Sequence, residues 1–372
     1  MRKPPVYILT PSLMPHDAIG NDVRGMAAAL REAGYKTEVY AEEIHKACLD
    51  QARPLASGGL RKWRNPRAIL IYHHSMAWPK GEQILETAFA RVMIRYHNIT
   101  PARCFSRYSE AHYRACKDGE ASTRRLARLE GVWFLGASGF NCRELVRLGA
   151  PEARTAALAP FHVTAELSQV PFDLPALNRF KDGATNILFV GGLKPNKGHL
   201  RALAVLDQYR RSTGLQARLI FAGQLDPRLS SYQLELAQET EAMRLSGQVV
   251  FTGTVTPSEL RSLYTLADVF LSVSEHEGFC VPLVEAMFFR LPIVAWGAAA
   301  VKETVGQAGL VWDEFDVGCL SESIHAVAEN PELGRRLAAE GFRRYQDCYR
   351  PEILRERFLW AVERICRGEL LE

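Results

Sequence analysis

The sequence predicts an α/β protein built from two doubly wound domains in tandem. Three observations carry this. The chain opens as strand, loop, helix, strand. A proline-bearing stretch without apolar periodicity interrupts it near the middle. The α/β pattern then restarts with buried strands that run into glycines and helices. A length of 372 residues fits about two domains rather than one core.

The elements follow in order. Val6–Thr10 is an apolar strand, "PSLMPHDAIGND" reads as a loop, and a helix covers Val23–Ala33 before Gly34. Thr37–Tyr40, Ala68–Tyr72, Arg91–Tyr96 and the run "GVWFLGA" to Ala137 are further strands, and Ser138 caps a helix. The expected first domain is residues 1–165 and the expected linker 166–185, inside "FHVTAELSQVPFDLPALNRFKDGATN". The second domain, 186–350, starts with "NILFVGG" and a helix near Gly198. Strands at Ala217–Phe221, "VVFTG", Val269–Ser274 and "PIVAW" alternate with helices at Gln233–Leu245, "SELRSLYTLA" and Pro282–Phe289, and the chain is helical from about Val317. Proline in a first helical turn costs nothing, because that N–H has no partner in the helix.

Composition narrows the function classes. Hydrophobic residues make up 47% and charged residues 24%, an ordinary globular balance. A formal net charge of +4 fits an anionic small molecule or a membrane surface and is too weak to indicate nucleic acid. The eight cysteines are scattered with no CxxC pair, which reads as free thiols rather than a zinc site or a disulfide framework. "MRKPPVYILTPSLM" does not read as a signal peptide, and no apolar run reaches the roughly 18 residues of a membrane helix. The expected location is cytoplasmic, with at most peripheral contact with the cytoplasmic face of the membrane.

Chemistry concentrates in "LSVSEHEGFCVPLVEAM". Glu277 falls just past the carboxyl end of a strand, and Glu285 falls in the first turn of the helix that Pro282 opens. Backbone N–H groups from Gly278 to Leu283 suit an anion, and a carboxylate can take both hydroxyls of a vicinal diol. Each glutamate alone is better explained by solvation or by the helix dipole. Together, after a buried strand, they point to a nucleotide-sugar site. "FVGGLKPNKGH" adds Gly191, Gly192 and Lys197 before a helix, a loop where backbone and ammonium can meet phosphate. Its spacing is neither GxxxxGK[ST] nor GxGxxG.

These motifs resemble a known family. "SEHEGFCVPLVEAM" is similar to the E-x7-E motif of retaining family 4 glycosyltransferases of the GT-B fold. "FVGGLKPNKGH" and "YTLADVFLSVSEHEGF" match the surrounding pattern, and "DAIGNDV", "YHHS" and "YHNITP" resemble a bacterial branch tied to polysaccharide assembly. The resemblance implies two Rossmann-like domains facing across a cleft, the first completed by a helix at about 351–372. It implies that Lys197, Gly191 and Gly192, with Gly20 and Asn21 in the loop after the first strand, approach the donor diphosphate. Glu277, Gly278, Phe279 and Cys280 would meet the donor sugar, Glu285 the ribose, and Thr254 and Val255 the base. His97 would lie beside the transferring sugar, with Glu277, His97 and Lys197 as the catalytic set and His74 on the acceptor side.

The implied reaction moves a hexosyl group from a nucleoside-diphosphate sugar to a glycan or lipid-linked glycan, with no cofactor, no metal and no nucleic-acid partner. Leaving diphosphate oxygens would help deprotonate the acceptor on the same face. Two departures stand out: Gly192 replaces the family's common arginine, and Cys280 replaces a usual glycine. The basic stretches "LRKWRNPR" and "STRRLARLEG" suit an anionic membrane or a lipid diphosphate, although solvated faces explain them more simply. A nucleotide-sugar epimerase of the same fold, or a silent nucleotide- or glycan-binding scaffold subunit, are the competing readings.

Overall fold

The computed structural model describes residues 3–15 and 17–371. His16, inside the loop expected after the first strand, lies outside the described residues. The chain forms two compact units, one of Met1–Pro101, Arg114–His162 and Tyr349–Glu372, the other of Ala102–Tyr113 and Val163–Cys348.

The first unit is built on a seven-stranded sheet: β1 Val6–Leu13, β2 Thr37–Ile44, β3 Arg53–Pro54, β4 Ile69–His74, β5 Arg91–Tyr96, β6 Trp133–Gly136 and β7 Thr155–Ala157. The order is β3-β2-β1-β4-β5-β6-β7, and every pairing is parallel. Ile69 and Ile71 enter one core cluster while Leu70 and Tyr72 enter the other. Side chains alternate across a strand, so β4 is apolar from Ile69 to Tyr72 because both faces are covered. The helices Ala18–Glu32 and Pro351–Arg367 cover one face together, with Val23, Met26 and Leu30 meeting the same cluster as Leu354, Phe358 and Ile365.

The second unit repeats the plan with six parallel strands: β8 Thr185–Val190, β9 Ala217–Ala222, β10 Val249–Gly253, β11 Val269–Ser272, β12 Ile293–Trp296 and β13 Leu310–Trp312. Their order is β10-β9-β8-β11-β12-β13. Strand order therefore reverses between β1 and β4 in one sheet and between β8 and β11 in the other. The crevice at such a reversal, outside the carboxyl ends of the strands, is where open parallel sheets bind ligands.

Three differences from the sequence expectations matter. The first helix starts at Ala18, not Val23, because the Asp17 side chain caps it by accepting from Gly20 N at 2.9 Å. The stretch drawn as a linker packs with the second unit and carries the short helices Thr164–Leu167 and Leu174–Arg179. Ser262 Oγ accepts Asp173 N at 2.8 Å, and the Arg261 guanidinium lies 3.8 Å from the centre of the Phe172 ring. Residues 102–113 also belong to the second unit, although they follow strands of the first. His112 Nε2 meets Asp226 Oδ2 at 3.1 Å, Ser231 Oγ donates to Tyr108 O at 3.2 Å, and Tyr108 meets Tyr232 edge-on.

None of the eight cysteines is joined in a disulfide among the described residues. Among the described residues, no helix is long and apolar enough to cross a membrane.

Candidate functional site

Two polar clusters occupy the two strand-order reversals. In the second unit, the loop after β8 brings Lys197 and the loop after β11 brings Glu277. Lys197 Nζ donates to Glu277 Oε1 at 2.7 Å. Close backbone approach makes this possible. A Cβ on Gly198 would stand 2.1 Å from Val273 O, and one on Gly223 would stand 2.0 Å from Gly191 O. Gly198 also sits at φ +83°, the left-handed region that suits glycine. The loops are stitched by Glu275 N to Asn196 O at 2.8 Å and Asn196 Nδ2 to His276 O at 3.3 Å. Arg201 pairs with Glu275 and stacks over Trp296 and Phe315, which anchors the start of the Glu277 loop.

Burial works against the Lys197 charge, yet the Glu277 carboxylate holds its pKa above the ordinary lysine value. Lys197 is therefore a fixed cation. Its aliphatic stem runs beside Gly191, with Cδ and Cε 3.6 Å from where a Cβ would be. Gly192 adds no side chain, so the cationic head in this loop is carried by Lys197 and the exposed Lys194.

Cys280 caps the helix Val281–Phe288 at φ +76° and ψ +76°, a backbone that side-chain-bearing residues rarely adopt. Burial, with Glu277 close by, pushes its thiol far above the usual range, so it stays protonated. Leu283 N is bonded to Cys280 O at 3.1 Å, which removes it from the donors expected at this helix start. Gly278 is half-buried, and Phe279 is buried with its carbonyl accepting Thr304 Oγ1 at 2.7 Å.

Glu285 is the fifth residue of this helix, one position further in than expected, because the helix opens at Val281 and not at Pro282. Its Oε2 accepts the Tyr264 hydroxyl at 2.6 Å, and burial raises its pKa while that hydrogen bond opposes the rise. Thr254 is exposed and Val255 half-buried just past β10, the edge strand of the sheet.

In the first unit, the helix after β1 supplies Asp22, β4 supplies His73, and β5 supplies Arg95 and leads into His97. Asp22 and Arg95 are fully buried, with Arg95 Nε donating to Asp22 Oδ2 at 2.7 Å and Arg95 Nη1 to Leu158 O at 2.7 Å. Asp22 Oδ1 accepts Phe161 N at 2.8 Å. His73 Nδ1 lies 2.8 Å from His97 Nε2, and the rings stack at 5.1 Å between centroids. Asp22, His73 and His97 place potential metal-ligating atoms within 4.8 Å of one another. The Arg95 guanidinium already neutralises that carboxylate and opposes a cation there.

Residues 173–344 match the model of the family described as glycosyl transferases group 1. The match lies within the second unit and covers just under half of the chain. It is 26% identical over 238 residues to the O-antigen chain mannosyltransferase B of Escherichia coli, covering 63% of this chain and 60% of that protein. It is 30% identical over 157 residues to a GDP-mannose-dependent alpha-mannosyltransferase of Mycolicibacterium smegmatis, covering 41% of this chain and 37% of that protein. The matched part thus spans less than two thirds of these relatives' own lengths. Sucrose-phosphate synthase of Thermosynechococcus elongatus superposes with a TM-score of 0.78 at 16% identity, covering 99% of this chain and 100% of that structure. The fold is GT-B, with two Rossmann-like units.

The sequence-derived residues separate clearly. Lys197, Glu277, Gly191 and Cys280 come together at one reversal. His97 sits at the other. Gly20 and Asn21 are not in a loop. They lie in the first turn of the helix Ala18–Glu32, where Asn21 Oδ1 accepts Arg24 Nη2 at 2.8 Å. His74, expected on the acceptor side, is fully buried, bonded to Thr123 Oγ1 at 2.8 Å and stacked between Tyr72 and Tyr96. It reaches no ligand-accessible surface. Sequence reasoning missed Asp22, His73, Arg95 and Tyr264. A buried-strand arginine such as Arg95, flanked by Ile94 and Tyr96, was the available signal, because an interior charge must be paired. Arg124 and Arg125 of "STRRLARLEG" lie in the last turn of the helix Glu110–Leu126, Arg128 lies just past it, and Arg125 Nη2 pairs with Glu82 Oε2 at 2.7 Å.

Proposed function

We propose that this protein is a group 1 glycosyl transferase that moves a hexosyl group, with retention, from a nucleoside-diphosphate sugar to a hydroxyl of a glycan or lipid-linked glycan. The observation that carries the reading is the Lys197–Glu277 pair, a fixed cation and a carboxylate 2.7 Å apart at the strand-order reversal of the second unit. Lys197 would hold the donor diphosphate and stabilise the charge that grows on it as the sugar departs. Glu277 would meet the sugar hydroxyls and keep the ammonium aimed. Glu285, held on one oxygen by Tyr264, would take the ribose with the other. Thr254 and Val255 would flank the base. His97, in the first unit, would meet hydroxyls of the reacting sugars. Charge stabilisation is assigned to Lys197 and the backbone of the adjoining helix start, with no resident metal or cofactor.

Mannosyl is the first donor sugar to test, since the two relatives described above are named mannosyltransferases. The experiment is calorimetry with UDP, GDP, ADP and dTDP on the wild type and on Lys197→Ala, followed by the matching nucleotide sugars with a glycan acceptor. The expected result is selective binding of one diphosphate, lost in the variant, and an α-configured product from an α-linked donor. Failure to bind any nucleoside diphosphate would overturn the reading.

A further inference from the structure

The His73–His97 contact has a consequence for the chemistry of the first unit. Two imidazole nitrogens 2.8 Å apart share one hydrogen bond, so one ring presents N–H and the other a lone pair. There are two neutral arrangements. Either His73 Nδ1–H donates to His97 Nε2, and the proton of His97 sits on Nδ1. Or His97 Nε2–H donates to His73 Nδ1, and the proton of His73 sits on Nε2.

The surroundings distinguish them. His73 Nε2 is buried and has no hydrogen-bond partner. In the second arrangement it would be an orphaned buried N–H, which costs roughly 1–3 kcal/mol and is rarer in proteins than an under-satisfied acceptor. Arg95 Nη2, in the same cluster, is already an orphaned buried donor. Asp22 does not reverse the preference. Its Oδ2 is 3.7 Å from His97 Nε2, beyond hydrogen-bond reach, and its charge is met by Arg95 Nε at 2.7 Å and Phe161 N at 2.8 Å. The doubly protonated ring is disfavoured as well. Burial draws His73 down to about 4, with the Asp22 and Arg95 charges acting in opposite directions, and draws His97 well below the ordinary histidine value.

We infer that His73 is a positioning residue that locks His97 in one tautomer, with its proton on Nδ1, so that His97 meets a ligand as a hydrogen-bond donor and not as a base. Among the described residues, nothing hydrogen-bonds to His97 Nδ1, and the side chain keeps 8% of its surface exposed. The ligand class this fits is an acceptor oxygen, such as a sugar hydroxyl or ring oxygen. That last step rests on the transferase reading. The tautomer does not.

The test is long-range proton–nitrogen correlation NMR on the full ¹⁵N-labelled chain, with His97→Asn used to assign the ring. The expected spectrum gives His97 a protonated Nδ1 and an unprotonated Nε2 at neutral pH. In His73→Leu the His97 nitrogens shift towards averaged values. In His73→Asn, whose amide can donate from the Nδ1 position, they return towards the wild-type pattern. A wild-type His97 protonated on Nε2 would overturn the inference even if the His73 variants fail to fold. So would zinc-dependent shifts of both rings, which would make the cluster a metal site.

With transfer activity in hand, His97→Asn, which keeps a donor near the Nδ1 position, retains at least about tenfold more kcat than His97→Gln, a difference the size of one hydrogen bond. The expected spectrum in a protein that binds no nucleotide sugar would leave the tautomer standing and remove the transferase reading.

Discussion

Lys197 and Glu277 are 80 residues apart in the chain, and their side chains meet at 2.7 Å. Each belongs to the loop that follows one of the two strands flanking the sheet's reversal. The pair is partly buried, so each charge depends on the other. Lys197→Met leaves Glu277 without its cation and is expected to abolish diphosphate binding and lower kcat by at least ~100-fold, the scale of losing a charge-stabilising donor. Isothermal titration and steady-state rates check this. An unchanged affinity for every nucleotide diphosphate would remove Lys197 from the donor site.

Tyr264 is expected to act through Glu285. Its hydroxyl, 2.6 Å from Oε2, pulls the pKa of Glu285 down against a larger rise from burial. Tyr264→Phe therefore raises that pKa further. Below the raised pKa the carboxyl is protonated and loses one acceptor for the ribose. Nucleotide affinity should fall several-fold in the variant, and its decline on acidification should begin at a higher pH than in the wild type. Titrations across pH 5–8 measure the displacement.

Cys280 is strained at φ +76°. Glycine adopts that backbone freely and alanine does not, while both remove the thiol. Cys280→Gly is expected to be more stable than Cys280→Ala by about 1 kcal/mol, read from denaturant midpoints. Equal stabilities would mean that the side chain, not the backbone, decides this position.

Asp22 and Arg95 form a fully buried ion pair. Removing one partner leaves a charge in the core, so Arg95→Ala should cost about 3–5 kcal/mol. Replacing both with apolar residues of similar size should cost less than the two single losses together. Thermal melts of the three variants give the answer.

Acid stability follows from buried neutral histidines. Burial pulls His73, His74 and His162 down to about 4 and His199 to about 3. In the unfolded chain they take up protons near pH 6.5. Between about pH 6.5 and 4 the unfolded state binds more protons than the folded one, so stability rises with pH there and is lost as pH falls. Each such histidine contributes on the order of 3 kcal/mol. Urea midpoints at pH 7.5 and pH 5 should differ clearly, and His162→Gln should narrow that difference.

Much of this molecule was set by the sequence alone. Apolar runs such as "AILIY" and "NILFV" define parallel strands buried on both faces, because strand periodicity and flanking glycines are local properties. Lys197, Glu277 and Glu285 were legible for the same reason: each lies within a few residues of a strand end or helix start.

Tertiary structure decided what depends on strand order. Nothing in local pattern says that the helix after β1 meets β4 and β5, so the Asp22–Arg95–His73–His97 network could not be read in advance. Burial of His74 is likewise decided by which face of β4 it occupies and by the aromatic rings of neighbouring elements. The cap at Asp17, six residues ahead of the expected helix start, was hidden because the apolar stripe starts a turn later than the hydrogen bonds. Periodicity reports which residues seek a core. Only the assembled sheet reports which of them share it.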